Sequence, residues 1–421
     1  GQPEYEPVYV MQDALDAIEL LVPCQYGERI RICEGVEIRF TDVGHLLGSA
    51  SIEVWATEDG VTKKIVFSGD IGNKNKPLIR SPQYIRQADY VVMESTYGGR
   101  FHKNTGDHVE EFARVIQETL DKGGNVVIPA FAVGRTQEVL NYIRIIKEKN
   151  LVTGHGVFPV YLDSPMAVEA TGVFKDNMMD CYNEETKELV KKGINPISFP
   201  GLHLSITSSD SVAINFNEEP KVIISAAGMC DAGRIRHHLK HNLWRPECTI
   251  LFAGYQAVGT LGRSITEGRE EVKLFGESIE VKARIEKIEG ISGHADETGL
   301  LEWVGSFMEK PSQVFVVHGD DTVCDAFAET VKETYGINAM APFSGSSYDL
   351  KEGCFVTVTK GIPIQKPAVN EATKKAAGVF ARLLAACDRL RRVVMHNEGG
   401  ANKDLARFAD QINSLCDKWD R

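Results

Sequence analysis

Through the first hundred positions the apolar residues fall mostly on alternate sites. RIRIC (29–33), VEIRFTDV (36–43), SIEVWAT (51–57) and KKIVFSG (63–69) read as short strands, and the last runs straight into Asp70. YVVME (90–94) is a continuous apolar run of strand length that ends on Glu94 and opens into the turn-prone STYGG. From about residue 105 the period becomes helical: HVEEFARVIQETL sets Val109, Phe112, Ile116 and Leu120 on one face, GG stops it, and NVVIPA is a short buried strand. Strand-like runs (PVYLDS, HLSITS, KVIISA, CTILFAGY) then alternate with helix-like ones (VGRTQEVLNYIRIIKE, MAVEATGVFKDN, GRIRHHLKHNL), which predicts a parallel sheet with helices on both faces. EVKLFGESIEVKARIEKI (271–288) predicts a hairpin returning the chain to the first sheet, before the helix ETGLLEWVGSFME and the strand QVFVVHG. The pattern thus predicts a first domain made of 1–98 and 291–365, interrupted by an insertion over 99–290, with a helical extension over 366–421.

That extension reads as two helices divided by NEGG, the second spacing Leu405, Phe408, Ile412, Leu415 and Trp419 by three and four. Such a stripe needs a partner. Packing within the chain is the first reading, and a homodimer seam through these helices the second.

Composition narrows the function classes. With 421 residues, 43% of them apolar, the chain can bury real cores in two or three domains. No apolar run reaches about 18 residues, and the opening GQPEYEPVYV is neither basic nor apolar enough for a secretory signal; no membrane span and a cytoplasmic location are expected. Nine cysteines without CxxC spacing argue against a disulfide framework and a cysteine zinc site. Forty-seven basic residues against 59 acidic give a net charge of −12, so a nucleic-acid ligand would need a local basic groove.

Three metal-competent side chains stand at strand ends: His45 in VGHLLGSA, Asp70 after KIVFSG, and His318 after QVFVV. Each alone also fits an aspartate in a turn or a satisfied histidine. Glu94 ends a strand as well, and His294 lies in the glycine-flanked turn GISGHADE; paired, they could make an acid whose imidazole is oriented by a carboxylate. HHLKH (237–241) puts His237 and His241 on one helix face as metalloprotease ligands are, but His238 takes the place of the required glutamate. A solvated or substrate-facing basic helix is the favoured reading there. GYQAVGTLGR (254–263) has the wrong glycine spacing for a dinucleotide fold and reads as a loop whose amides, with Arg263, approach an anion.

In this order the pieces resemble the β-CASP branch of the metallo-β-lactamase superfamily, from about residue 5 to 360. The resemblance rests on GHLLGSA, FSGD, MESTYG, SGHAD and VVHGD, and on FAVGRTQE, DSPMA and AGMCDAGRIRHHL, which are similar to stretches of bacterial and archaeal RNA-processing members. It implies an α/β fold: a metallo-β-lactamase αββα sandwich, N-terminally incomplete, with an inserted β-CASP α/β domain whose sheet is mainly parallel. By the same resemblance His45, Asp70 and His318 would hold metal, Asp70 bridging two zinc ions or manganese in their place. Asp70, Glu94 and His294 would be the catalytic residues, and single-stranded RNA would lie in an interdomain cleft with phosphates on Arg135, Arg234 and Arg263. The histidine of VVHGD, typically valine in DNA-acting relatives, points to RNA.

The family's HxHxDH motif does not occur, and no histidine precedes His45. The expectation is therefore a chain lacking its first block, with His45 facing an open gap, three of the side chains that two ions need, weak metal binding and impaired activity. The alternative is a non-catalytic RNA-binding or scaffold relative. A small-molecule metallohydrolase is disfavoured by the long spacing from Glu94 to His294.

Overall fold

The computed structural model describes residues 9–102, 106–362 and 402–419, with scattered positions between 387 and 394. Contacts within the chain gather Gly1–Thr359 into one unit and Lys360–Arg421 into another.

The first unit opens with α1 (Met11–Glu19), whose Met11, Leu15 and Ile18 are exposed. The alternating segments then form β1 (Arg29–Cys33), β2 (Val36–Asp42), β3 (Ala50–Glu58) and β4 (Val61–Phe67), an antiparallel meander, and β5 (Tyr90–Glu94) runs parallel to β4. Within the meander Glu53 is fully buried and ligated by Arg39, Lys64 and Thr41, so the alternation carries one buried charge that is paired on every side.

The middle of the chain follows the predicted change of period. α2 (His108–Asp121) starts on Asp107, whose carboxylate accepts from the Val109 amide, and it buries Val109, Phe112, Ile116 and Leu120. There follow β6 (Val126–Pro129), α3 (Arg135–Glu148), β7 (Val160–Asp163), α4 (Pro165–Asp176), α5 (Met178–Cys181), α6 (Glu184–Lys191), β8 (Leu202–Ser205), α7 (Ser208–Phe216), β9 (Val222–Ser225), α8 (Ile235–Asn242), β10 (Thr249–Ala253) and α9 (Leu261–Thr266). β11 (Glu271–Leu274) and β12 (Glu277–Glu280) make the expected hairpin, and β13 (Arg284–Ile288) comes next.

The hairpin does not return the chain to the first sheet. β13 instead pairs in parallel with β10, Arg284 opposite Thr249 and Ile288 opposite Ala253, completing an all-parallel sheet of order β13-β10-β6-β9-β7-β8. Its charged positions Arg284, Glu286 and Lys287 suit an edge strand, where one face and one backbone side stay open, but do not specify which sheet's edge, and β10 is the edge it takes.

The return comes later, through α10 (Glu297–Val304), β14 (Gln313–Val317), α11 (Asp321–Tyr335) and β15 (Ala339–Met340). β14 lies parallel to β5 with Val317 opposite Glu94, giving a mixed seven-stranded sheet of order β1-β2-β3-β4-β5-β14-β15. A small hairpin, β16 (Ser347–Asp349) and β17 (Cys354–Thr357), follows. The α/β expectation thus holds, with a second sheet that is parallel throughout. One core joins α10 and α11 to the first sheet through Trp303, Phe327, Val91 and Val314; another packs α2 and α3 on β6, β7 and β9.

In the second unit α12 (Asn402–Trp419) is the predicted last helix; along its stripe Leu415 is 55% and Trp419 72% exposed. Most of the predicted helix before NEGG lies outside the described residues. Among the described residues no helix is long and apolar enough to cross a membrane.

Candidate metal centre and active site

The site forms where strand ends of the first sheet meet a turn from far along the chain. Register puts Glu94 of β5 beside Val317 of β14, so His318 follows at the same end. The loop after β4 carries Asp70, and it is sewn to the GISGHADE turn by backbone bonds: the Ala295 amide donates to Ile71 O (2.7 Å), the Asn73 amide to Gly293 O (3.0 Å). Two glycines make the approach feasible. A Cβ at Gly72 would lie 2.0 Å from Gly44 O, and one at Gly293 would lie 2.9 Å from His45 Cε1. The sequence separation between Asp70 and His294 is closed by main chain, not by their side chains.

Asp70 sits between two imidazoles. His45 Nε2 is 3.8 Å from its Oδ2, and His318 Nδ1 is 3.6 Å from its Oδ1, both beyond hydrogen-bonding distance. Ligand atoms of His45, Asp70 and His294 all lie within 4.8 Å of one another, the one such cluster among the described residues. The His45 and His294 rings are 4.4 Å apart, and the His294 and His318 rings 6.1 Å. His318 adopts φ = 54°, the left-handed region that costs a non-glycine residue energy, with the Thr96 hydroxyl 3.2 Å from its Nδ1 and 3.3 Å from its carbonyl oxygen.

His45 does not face an open gap: its side chain is 13% exposed, covered by the His294 ring and the Gly293 backbone. Burial, then the nearby His294 and Lys76, push its imidazole down to about 4, so it is neutral at pH 7. Its Nδ1 is buried without a hydrogen-bond partner. A neutral imidazole with an orphaned nitrogen, beside a carboxylate and further imidazoles, is the donor set that zinc takes. The residues present fit the ion.

His294 and Glu94 form the predicted pair. His294 Nδ1 lies 3.0 Å from both Glu94 oxygens, and Glu94, only 2% exposed, also accepts from the Ile71 amide (2.5 Å) and the Thr96 amide (3.2 Å). Burial alone would raise the Glu94 carboxyl, but these donors outweigh it and hold the group below the usual carboxylate range. Burial likewise opposes protonation of His294, and the Glu94 carboxylate outweighs it, raising the imidazole above its ordinary value. With Nδ1 committed, Nε2 is the nitrogen left for chemistry.

The three arginines are not brought together. Arg135 pairs with Glu138 (2.5 Å) and donates to Ile291 O (2.7 Å), tying the first turn of α3 to the segment ahead of His294. Arg234 pairs with Asp163 (2.7 Å) at the end of the second sheet and donates to Ile206 O (2.8 Å). Arg263, paired with Glu267 (2.6 Å), lines a cleft of about 420 Å³ with Tyr97, Phe101, His102 and Lys287. Toward its end the anion-cradling loop predicted at 254–263 spends amides internally: Leu261 N donates to Asp231 Oδ1 (2.9 Å) and Gly262 N to Met229 O (3.0 Å). In HHLKH the buried member is His238, while His237 stacks on Phe275 and His241 packs edge-on to Phe216.

Sequence reasoning missed Lys76, Tyr97 and His102. Lys76 donates to His45 O (2.8 Å) and pairs with Glu138 (3.2 Å), fixing the His45 loop to α3. The Tyr97 ring is 6.1 Å from that of His294, and His102 Nε2 lies 2.9 Å from His294 O. A tyrosine and a histidine right after the Glu94 strand were a usable signal; a lysine within NKNKP was not.

Residues 136–265 match the Beta-Casp domain, and residues 278–342 match the Zn-dependent metallo-hydrolase RNA specificity domain. The chain is 35% identical to Ribonuclease TTHA0252 of Thermus thermophilus over 316 residues, 75% of this chain and 70% of that protein. It is 33% identical to the RNase J-like protein of Methanocaldococcus jannaschii over 345 residues, 80% and 76% of the two chains. Transcription termination factor FttA of Methanosarcina mazei is 31% identical over 76% of this chain and 50% of its own length. With two sheets of the expected kind, the metal-competent cluster and relatives of this reach, the chain belongs to the zinc-dependent β-CASP metallo-β-lactamase ribonuclease family.

Proposed function

We propose that this protein hydrolyses phosphodiester bonds of single-stranded RNA, with metal held by His45, Asp70 and His318 and with His294 as the acid. The observation that carries the reading is the division of labour around Asp70: imidazoles near each of its oxygens, and beside them a histidine whose Nδ1 is already fixed by Glu94. When bound, zinc supplies a Lewis acid and lowers the pKa of its water to about 7. The chain's own residues do the rest. Water gives up a proton to solvent and attacks phosphorus, the P–O3′ bond breaks, and the proton on His294 Nε2 goes to the departing oxygen; Glu94 stabilises the charged form of His294 beforehand. Arg263 and Lys287 draw phosphates into the cleft, and the exposed Phe101 and Tyr255 on its wall suit base stacking.

Each catalytic zinc takes three protein ligands and an open position. His45, Asp70 and His318 give three donors, enough for one such ion and short for two, so binding of a second ion is expected to be weak and turnover impaired accordingly. His294→Ala tests the acid role: turnover falls about a hundredfold or more while zinc content stays unchanged. Loss of zinc in that variant supports a second reading, favoured by the 4.8 Å cluster, in which His294 is itself a ligand. Undiminished cleavage overturns both, and salt-dependent RNA binding without cleavage by the metal-loaded protein supports a scaffold.

A further inference from the structure

A cavity beside the second sheet has no part in RNA cleavage as read above. The last turns of α3 supply Arg144, Lys147 and Glu148, and the loops at 150–158 and 194–200 supply Val157, Phe158 and Phe199; together they enclose about 560 Å³, within the range that holds a small organic molecule. Along α3, Lys147 lies about 14 Å from Glu138, the residue that meets the metal-site lysine.

Two cations converge on this space. The Lys147 ammonium donates to Phe158 O (2.6 Å) and lies 3.7 Å from the Phe158 ring centroid and 5.7 Å from that of Phe199. Burial pushes that ammonium down to about 8, so its charge is held at a cost that an anion would relieve. Arg144 is 7% exposed; its Nη1 pairs with Glu148, but its Nε is buried and has no acceptor. A buried guanidinium N–H left without a partner is costly, so the internal contacts of Arg144 leave its charge only partly satisfied. Glu148 balances one of the two cations, leaving one positive charge among apolar and aromatic walls.

We propose that this cavity binds a small organic monoanion, a carboxylate on an aromatic or short apolar body. Its oxygens accept from Lys147 Nζ and from the cavity-facing part of the Arg144 guanidinium, and its body lies against Phe199 and Val157. Inorganic phosphate matches the charge without the body, and a neutral aromatic amide the body without the charge.

Calorimetric titration of the full chain with 1-naphthoate tests the site, with 1-naphthamide and inorganic phosphate as the two partial ligands. The expected result is one saturable site for naphthoate with a Kd below about 1 mM, and binding at least about tenfold weaker for either partial ligand. Lys147→Met, which keeps the side-chain volume, weakens naphthoate about tenfold or more. Val157→Asp sets a like charge on a side chain that is 65% exposed, away from the fold's core, and has the same effect. No saturable binding, equal binding of the amide, or wild-type affinity in a folded Val157→Asp protein would each overturn the proposal.

Discussion

Two carboxylate–histidine pairs stand at the ends of the two sheets, Glu94–His294 on the first and Asp163–His238 on the second. Their carboxylates are alike: each ends a strand, and each is almost wholly buried, 2% exposed for Glu94 and 0% for Asp163. Their histidines differ. His238 is fully buried, its Nε2 2.6 Å from Asp163 and its Nδ1 2.9 Å from Asn215, while Arg234 and Ser211 occupy the rest of the carboxylate. His294 commits Nδ1 to Glu94, keeps 21% of its side chain exposed and stands against His45. The same pair is a structural tie when both nitrogens are spent; with one left open it is free to act as the reagent proposed for His294. Burial of the carboxylate fixes orientation in both cases; access decides the use.

That contrast is open to attack at either pair. The largest effect is expected at the open one, where His294→Ala lowers RNA turnover by about 10²–10⁴ with the melting temperature nearly unchanged. The sealed pair behaves the other way: Asp163→Asn strips Arg234 of its counter-charge and His238 of a buried hydrogen-bond partner, and costs about 3–5 kcal/mol of stability in denaturant titrations. Turnover per folded molecule stays the same; a stable Asp163→Asn protein that has lost activity would break the comparison.

Acid sharpens it. Burial would raise the Asp163 carboxyl, but hydrogen bonds from His238, Ser211 and Arg234 outweigh this and hold it far below the ordinary range. A depressed folded value contributes stability that is fully present above the unfolded carboxyl's value of about 3.9 and is lost as pH falls through the folded one. The wild type therefore loses stability below about pH 4, and Asp163→Asn flattens that part of the curve. The smallest effect belongs to Arg263→Ala, a partly exposed cation on the cleft wall: RNA affinity drops a few-fold, and the slope of log K against log salt shrinks by about 0.7.

The residues at strand ends were legible in the sequence because apolar runs of strand length stop on or just before them: KIVFSG delivers Asp70, YVVME delivers Glu94 and QVFVV delivers His318. The switch to helical spacing near residue 105 likewise marked the second sheet. What local pattern cannot carry is partner choice across the chain. Arg135, Arg234 and Arg263 read alike as phosphate partners, yet Glu138 and Ile291 O take the first, Asp163 the second and Glu267 the third, and of the three Arg263 lines the cleft. The same limit sent β13 to the wrong sheet, since a strand's own alternation says which faces are buried and not which neighbour it pairs with. Lys76 gave no signal because its two partners, His45 O and Glu138, come from separate elements.

Cleavage of a 5′-labelled single-stranded RNA under a zinc titration, run on the full chain and on Asp70→Asn, asks whether the site around Asp70 is the reactive centre. The expected result is slow cleavage that needs added zinc or manganese, follows metal occupancy, ends on chelation and is absent in Asp70→Asn. Cleavage that persists with chelator, or that Asp70→Asn leaves intact, would contradict it.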